Sequence, residues 1–278
     1  MQYLSVLVLA LVAYSTSALA PTIKLNTGYD MPVIGLGTWQ ATGQTARQAV
    51  KDAIAIGYRH IDTASHYGNE HEVGQGLHDQ INAGLIKRED VFITTKVWPQ
   101  GTDRRKALES VRHSVQQLNV SYVDLVLLHF PENDWINVYR GMEDAYHQKL
   151  TRSIGISNCG RGQIDQLLRE TTVKPAVNQI SIQPRNNQDD TVNHCNELGI
   201  VVTGFSPLGT GSIVKDHTLA SIGTKHQKSA AQVALRWQIQ RHLITIPKAT
   251  NPKYIKEDFE IFDFQLTNDE MNTIHNLH

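Results

Sequence analysis

The sequence predicts an α/β fold, a (β/α)8 TIM barrel preceded by an N-terminal β-hairpin. Three observations predict it. Short β-like runs alternate with helical patterns from Thr22 onward, and eight such pairs fit within roughly 250 residues, the usual size of that barrel. One run, Leu125-Val126-Leu127-Leu128, is apolar without a break, as suits a parallel strand covered on both faces. The rival fold, a doubly wound open sheet, would carry G-x-G-x-x-G after its first strand, and that motif is absent there.

Taken in order, Thr22–Leu25 and Pro32–Ile34 flank the turn signal Asn26-Thr27-Gly28, which predicts the hairpin. Gly35–Thr38 is the first barrel strand. Thr45–Ile56 is its helix, with Ala46, Ala49, Val50, Ala53 and Ile54 at helical spacing. Strands then fall at Arg59–Asp62, Val91–Thr95 and Asp124–Leu128, with helices at Glu70–Ile81 and Asp103–Leu118. Asp103 is placed to cap the second of these helices. The later strands are Ser153–Ile156, Ala176–Gln179, Ile200–Thr203 and Leu243–Ile246, interleaved with helices at Ile136–His147, Gln163–Arg169, Thr191–Leu198 and Ala230–Gln240. A helix opens at Pro252 with Asn251 as its cap, and Thr267–Asn276 adds one more.

The chain has 278 residues, 40% hydrophobic and 19% charged, with 26 basic and 27 acidic side chains. That balance offers nucleic acid no basic surface. No stretch after residue 20 is apolar enough to cross a membrane. Leu4–Ala13 is apolar at signal-peptide length, and Ala18-Leu19-Ala20 supplies an A-x-A cleavage pattern. The reading is a leader over 1–20 and a single barrel domain over 21–278. It places the protein in the secretory lumen or outside the cell, with the cytoplasm as the alternative. The sequon Asn119-Val120-Ser121 fits a secreted chain. Cys159 and Cys195 are too few for a disulfide framework and read as buried thiols.

In such a barrel the chemistry gathers where strands end. Asp62 ends the second strand, Lys96 follows the third and His129 follows the fourth, while Tyr67 lies in the loop after Asp62. Each alone has an ordinary reading: a cap, a rim lysine, a bonded core histidine, a surface tyrosine. On consecutive strands they make one constellation. A phenol has a pKa near 10 and needs help to act as an acid at neutral pH. Lys96 would lower it, Asp62 would hold Lys96, and His129 would offer an N–H to a carbonyl oxygen. A polarised, protonated carbonyl accepts hydride, and no side chain supplies hydride, so a nicotinamide is implied. No ligand spacing for a metal is present.

At this point the sequence resembles the aldo-keto reductases, and in its compactness their diketogluconate-reductase-type and insect members. The motifs that carry the resemblance span the chain: Met31-Pro32-Val33-Ile34-Gly35-Leu36-Gly37-Thr38-Trp39, Gly57–Ala64, Tyr67-Gly68-Asn69-Glu70, Thr94–Trp98, Leu127–Pro131, Ser153–Asn158, Asn178-Gln179, Ser206–Gly209 and Ile246-Pro247-Lys248. The resemblance implies a monomer that binds NADPH, with NADH possible, across its rim and reduces aldehydes and ketones. Tyr67 is then the acid, Lys96 and Asp62 its tuning pair, and His129 the carbonyl orienter. It implies that Ser157, Asn158 and Gln179 hold the nicotinamide carboxamide and that Phe205 stacks on the ring. Thr38, Trp39, Ser206, Leu208, Gly209 and Gly211 would follow the cofactor's course, and Lys248, Ala249, Thr250, Tyr254, Glu257 and Asp258 its adenosine end.

There the chain departs from the family's pattern. Ala249 replaces a serine, Tyr254 an arginine that meets the 2′-phosphate, and Asp258 an asparagine. Ser181 and Gln183 also replace usual residues. On the substrate side stand Trp39, His66, Trp98, His129 and Phe130, and the short stretch after His129 predicts an open pocket. A steroid, a sugar-derived ketone or a lipid aldehyde would fit it. The competing reading is a nucleotide-binding interaction protein with little activity, which the intact set of Asp62, Tyr67, Lys96 and His129 disfavours.

Overall fold

The computed structural model describes residues 19–277, so residues 1–18 of the expected leader lie outside the described residues. β1 (Thr22–Lys24) and β2 (Asp30–Pro32) form the antiparallel hairpin, with Thr22 opposite Pro32. Gly28, at φ 88°, makes the turn, a left-handed conformation that glycine adopts at little cost. The hairpin closes the bottom of the barrel. Asn26 Nδ2 donates to Pro175 O at 3.0 Å, and Leu25 and Met31 pack with Phe92, Leu125, Leu127 and Val177 in an apolar plug.

Eight parallel strands follow in sequence order: β3 (Leu36–Gly37), β4 (His60–Asp62), β5 (Phe92–Val97), β6 (Val123–Leu128), β7 (Thr151–Ser157), β8 (Val177–Ser181), β9 (Val201–Phe205) and β10 (Ile244–Ile246). The sheet closes on itself through an Ile34–Thr245 bridge, with Gly35 N donating to Thr245 O and Gly37 N to Pro247 O, both at 2.9 Å. A Cβ on Gly37 would lie 2.9 Å from Ile246 O, so this seam needs a residue without a side chain.

The helices are α1 (Gly43–Ile56), α2 (Glu70–Asn82), α3 (Arg104–Gln117), α4 (Trp135–His147), α5 (Arg161–Glu170), α6 (Asp189–Glu197), α7 (His217–His226), α8 (Ala230–Gln240), α9 (Pro252–Phe259) and α10 (Asn268–His275). The apolar stripe of α1 is buried as its spacing predicts. Asp103 caps α3 by accepting from Lys106 N at 2.8 Å, and Asn251 caps α9 by accepting from Lys253 N at 3.0 Å. The sequence reading placed no helix between the seventh strand and Ala230, and α7 corrects it. Only Leu219, Ile222 and Gly223 of α7 are buried, too thin a stripe to show as a period. Its cap was visible, for Asp216 accepts from Thr218 N and Leu219 N at 2.9 and 3.0 Å. Cys159 and Cys195 are free and buried. Among the described residues no helix is long and apolar enough to cross a membrane.

Candidate active site

β4, β5 and β6 are neighbours in the sheet, so their ends bring Asp62, Lys96 and His129 to one stretch of rim. A 3-10 turn, Ser65–Tyr67, folds the chain back so that Tyr67 sits over them. Ser65 Oγ pins this turn by donating to Lys96 O at 2.8 Å. Asn69 anchors its far side, donating to Thr38 O and Ala41 O at 2.9 and 2.8 Å.

Lys96 is 1% exposed, and its three N–H groups are all used. Nζ donates to Asp62 Oδ1 at 2.5 Å, to Thr63 O at 2.9 Å and to Tyr67 Oη at 3.2 Å. The other Asp62 oxygen accepts from Gln179 Nε2 at 2.7 Å. Burial works against the Lys96 charge, but Asp62 and Tyr67 outweigh it and hold its pKa above the usual lysine value. The expectation that Lys96 lowers Tyr67 holds only in part. Burial is the larger influence and carries the phenol above its ordinary value, against the pull of the ammonium. Tyr67 is therefore a protonated acid at neutral pH.

His129 is lowered to about 3, first by burial and then by Lys96 and His66, so its ring is neutral. Nδ1 is buried with no partner among the described residues, and the ring borders the cavity at the strand ends. The aromatic wall beside it is ordered by stacking. His66 lies flat on Trp98, centroids 3.9 Å apart, and Trp98 meets His129 edge-on at 5.0 Å. Phe130 stacks on His129 at 5.1 Å. Trp39, 48% exposed, completes the lining.

Two cavities open on the rim and share Lys248. The first, about 430 Å³, holds Asp62, Tyr67, His129, Ser157, Asn158, Gln179, Phe205 and Ser206 beside that wall. The second, about 650 Å³, is bordered by Leu208, Ala249, Thr250, Tyr254, Glu257 and Asp258. Thr38, Gly209 and Gly211 line neither. Thr38 is buried, its hydroxyl donating to Asp62 O at 3.0 Å. Gly209 and Gly211 instead shape the loop with Thr210, all three at positive φ. Sequence reasoning missed Thr210, Gly37 and Ile246 in the first cavity and Val214, Ser229, Ala230, Ala231 and Asn251 in the second. Thr210 lies between the two glycines that were chosen, and Ile246 ends a predicted strand, so both were within reach. Gln183 also finds an account. A Cβ on Gly209 would fall on Gln183 Oε1, so this side chain packs directly against the turn.

A model of the Aldo/keto reductase family matches residues 33–278. An aldo-keto reductase of Bombyx mori is 40% identical over 281 residues, covering 92% of this chain and 91% of that protein. The chain belongs to the aldo/keto reductase family. The NAD(P)H-dependent D-xylose reductase of Candida tropicalis is 37% identical, with 94% and 93% covered. The crystal structure of the Bombyx mori aldo-keto reductase in complex with NADP superposes with a TM-score of 0.88 at 39% identity, over 93% of both chains. NAD(P)H-dependent reduction of carbonyls is the reaction of this family and of this chain.

The residues of this cleft fit a dinucleotide. Asn158 Nδ2 is used on His129 O and Gln179 Nε2 on Asp62, which leaves Asn158 Oδ1 and Gln179 Oε1 as acceptors suited to a carboxamide NH2. The glycine-rich loop and Lys248 then lead to the second cavity.

Proposed function

We propose that Tyr67 delivers the proton in carbonyl reduction, with Lys96, Asp62 and His129 arranged around it. The observation that carries this is the saturation of Lys96. Its third hydrogen is directed at Tyr67 Oη, so the hydroxyl's own hydrogen must point elsewhere, and the open direction is the cavity. A carbonyl oxygen placed there would accept from Tyr67 and from the neutral His129 ring. The bound nicotinamide supplies hydride to the carbonyl carbon. As the C=O π pair moves onto oxygen, that oxygen takes the Tyr67 proton, and Lys96 stabilises the phenolate left behind. Asp62 keeps Lys96 charged and in place, and Gln179 keeps Asp62 oriented.

NADPH is the favoured cofactor and NADH an accepted one. The Bombyx mori relative was solved with NADP and the Candida tropicalis relative is named for both, which supports this reading. Lys248 offers a charge to a 2′-phosphate, but Ala249 and Tyr254 offer none. One charged hydrogen bond contributes roughly 1.5–3 kcal/mol, so the preference should be weakened about ten- to a hundredfold. The substrate is a small aldehyde or ketone with a flat or apolar body, held against Trp39, Trp98 and Phe130. The chain acts as a monomer in the secretory lumen or beyond, and Asn119 is an exposed residue in a left-handed turn open to an oligosaccharide. Expression in a secreting eukaryotic cell should yield a product whose mass falls on glycosidase treatment, and Asn119→Gln should abolish that fall.

The direct test is oxidation of NADPH and of NADH by the purified chain against aldehydes, sugar ketones and steroid ketones. Turnover with both cofactors, and a kcat/KM ratio under about a hundredfold, is expected. A preference for NADPH beyond about a thousandfold would sink dual use, and no turnover on any carbonyl would favour the interaction-protein alternative.

A further inference from the structure

We propose that His66 sets the substrate preference of the pocket by binding an oxygen on the carbon next to the carbonyl. The favoured substrates are then 2-hydroxy carbonyls and 1,2-dicarbonyls. The proposal rests on the reading of Tyr67 and His129 as the pair that holds the carbonyl oxygen.

His66 is the middle residue of the 3-10 turn Ser65–Tyr67, so it directly precedes the proton donor, and both residues border the first cavity. Its side chain is exposed on the rim but held in place. It lies flat on Trp98, with centroids 3.9 Å apart and planes 12° apart, and Ser65 pins the turn from the other side. Neither ring nitrogen has a hydrogen-bond partner among the described residues. Stacking therefore fixes the ring and leaves both nitrogens for a ligand.

The chemistry of the ring decides what it binds. A neutral imidazole carries one donor and one acceptor, whereas the indoles of Trp39 and Trp98 only donate and the Phe130 ring does neither. The position of the ring decides where that partner lies. The Tyr67 and His129 rings stand 5.8 Å apart, and the His66 ring stands 6.4 Å from His129, edge-on at 85°. Two oxygens on adjacent carbons span such a gap, with one hydrogen bond at each end. One is the carbonyl oxygen at His129 and Tyr67, and the other meets His66. A hydroxyl there donates to the acceptor nitrogen, and a second carbonyl accepts from the N–H. An alkyl carbonyl offers neither, so it displaces water from the imidazole without replacing its hydrogen bonds. Among the bodies that an open pocket admits, this favours a sugar-derived ketone over a steroid or an unsubstituted lipid aldehyde.

The experiment is steady-state kinetics at saturating NADPH on two matched pairs, glyceraldehyde against propanal and phenylglyoxal against benzaldehyde. Wild type is compared with His66→Phe, which keeps a ring on Trp98 and removes both nitrogens, and with His66→Gln, which keeps a donor and an acceptor. The readout is the kcat/KM ratio within each pair, oxygenated over plain, so the intrinsic reactivity of the carbonyls cancels between variants. That ratio should fall about three- to tenfold in His66→Phe, the effect of one hydrogen bond, with most of the change in KM. His66→Gln should hold the ratio within about threefold of wild type. A ratio unchanged in His66→Phe, or lowered through kcat at constant KM, would overturn the proposal. Absence of turnover on all four carbonyls by the wild-type chain would instead overturn the reading of the Tyr67 and His129 site. If His66→Phe fails to fold by circular dichroism, His66→Leu carries the same comparison.

Discussion

The two ends of the cleft differ in how their charges are accounted for. At the reactive end, Lys96, Asp62, Gln179, Thr63 and Tyr67 form a linked set in which all three hydrogens of Lys96 Nζ have acceptors within the barrel and only the Tyr67 hydroxyl is left to donate to the cavity. At the adenosine end, Asp258 makes no hydrogen bond or ion pair among the described residues, Tyr254 is more than half exposed and the Ala249 side chain offers no hydrogen bond. The first is built on β4, β5 and β8 of the sheet, with Tyr67 on a short turn pinned by Ser65 and Asn69. The second is built on a loop and one turn of helix. A network that must hold a charge and aim one proton tolerates little change. A surface that grips a nucleotide over many atoms can change one contact and keep the rest.

The contrast can be broken most severely at Lys96. Lys96→Met leaves the Asp62 carboxylate buried with only Gln179, and should cost about 3–5 kcal/mol in urea unfolding. Adding Asp62→Asn should restore much of that stability without restoring activity. A single-variant cost under about 1 kcal/mol would show that the linked set is not what holds this rim together.

The adenosine end should respond more mildly and in the opposite sense. Ala249→Ser with Tyr254→Arg adds donors for a 2′-phosphate, and should raise the NADPH preference in kcat/KM about ten- to a hundredfold. Its unfolding midpoint should barely move. An unchanged cofactor ratio would mean that these positions do not face the phosphate.

The smallest effect concerns pH. His60 and His129 are both lowered to about 3 by burial, with Lys96 adding to it. Between the unfolded histidine pKa of about 6.5 and that value, the unfolded chain binds protons that the folded chain refuses, so stability falls as pH falls through this window. His129→Gln should remove about 1–2 kcal/mol of the loss between pH 7 and 4.5. The same acid range should leave the hydrogen-bonding role of His129 intact, because its ring is still neutral there. A stability difference that does not change with pH would place His129 in a less buried setting.

Sequence and structure agree where the pattern has a local cause. The α1 stripe, the Asp103 and Asn251 caps and the ends of β4 and β6 were readable because period, cap chemistry and strand ends are written over a few residues, whereas β5 runs two residues past the expected Thr95, to Val97. Three polar groups at the ends of consecutive strands, with Tyr67 in the turn after the first of them, were readable for the same reason. What was not readable depends on contacts between distant segments. Gln179 lies 117 positions from Asp62 and binds it. The net rise of Tyr67 depends on how deeply the turn buries it. α7 was missed because its buried face is two side chains wide.

The central claim is that Tyr67 gives up the proton while Lys96 stabilises what remains. The measurement is the single-turnover rate of reduced-nicotinamide oxidation in Tyr67→Phe at saturating cofactor and carbonyl. The ring still packs without its hydroxyl, so the nucleotide dissociation constant should stay within about twofold of wild type and the rate should fall about 10²–10⁴-fold. A Tyr67→Phe chain that oxidises the cofactor at the wild-type rate would contradict the account.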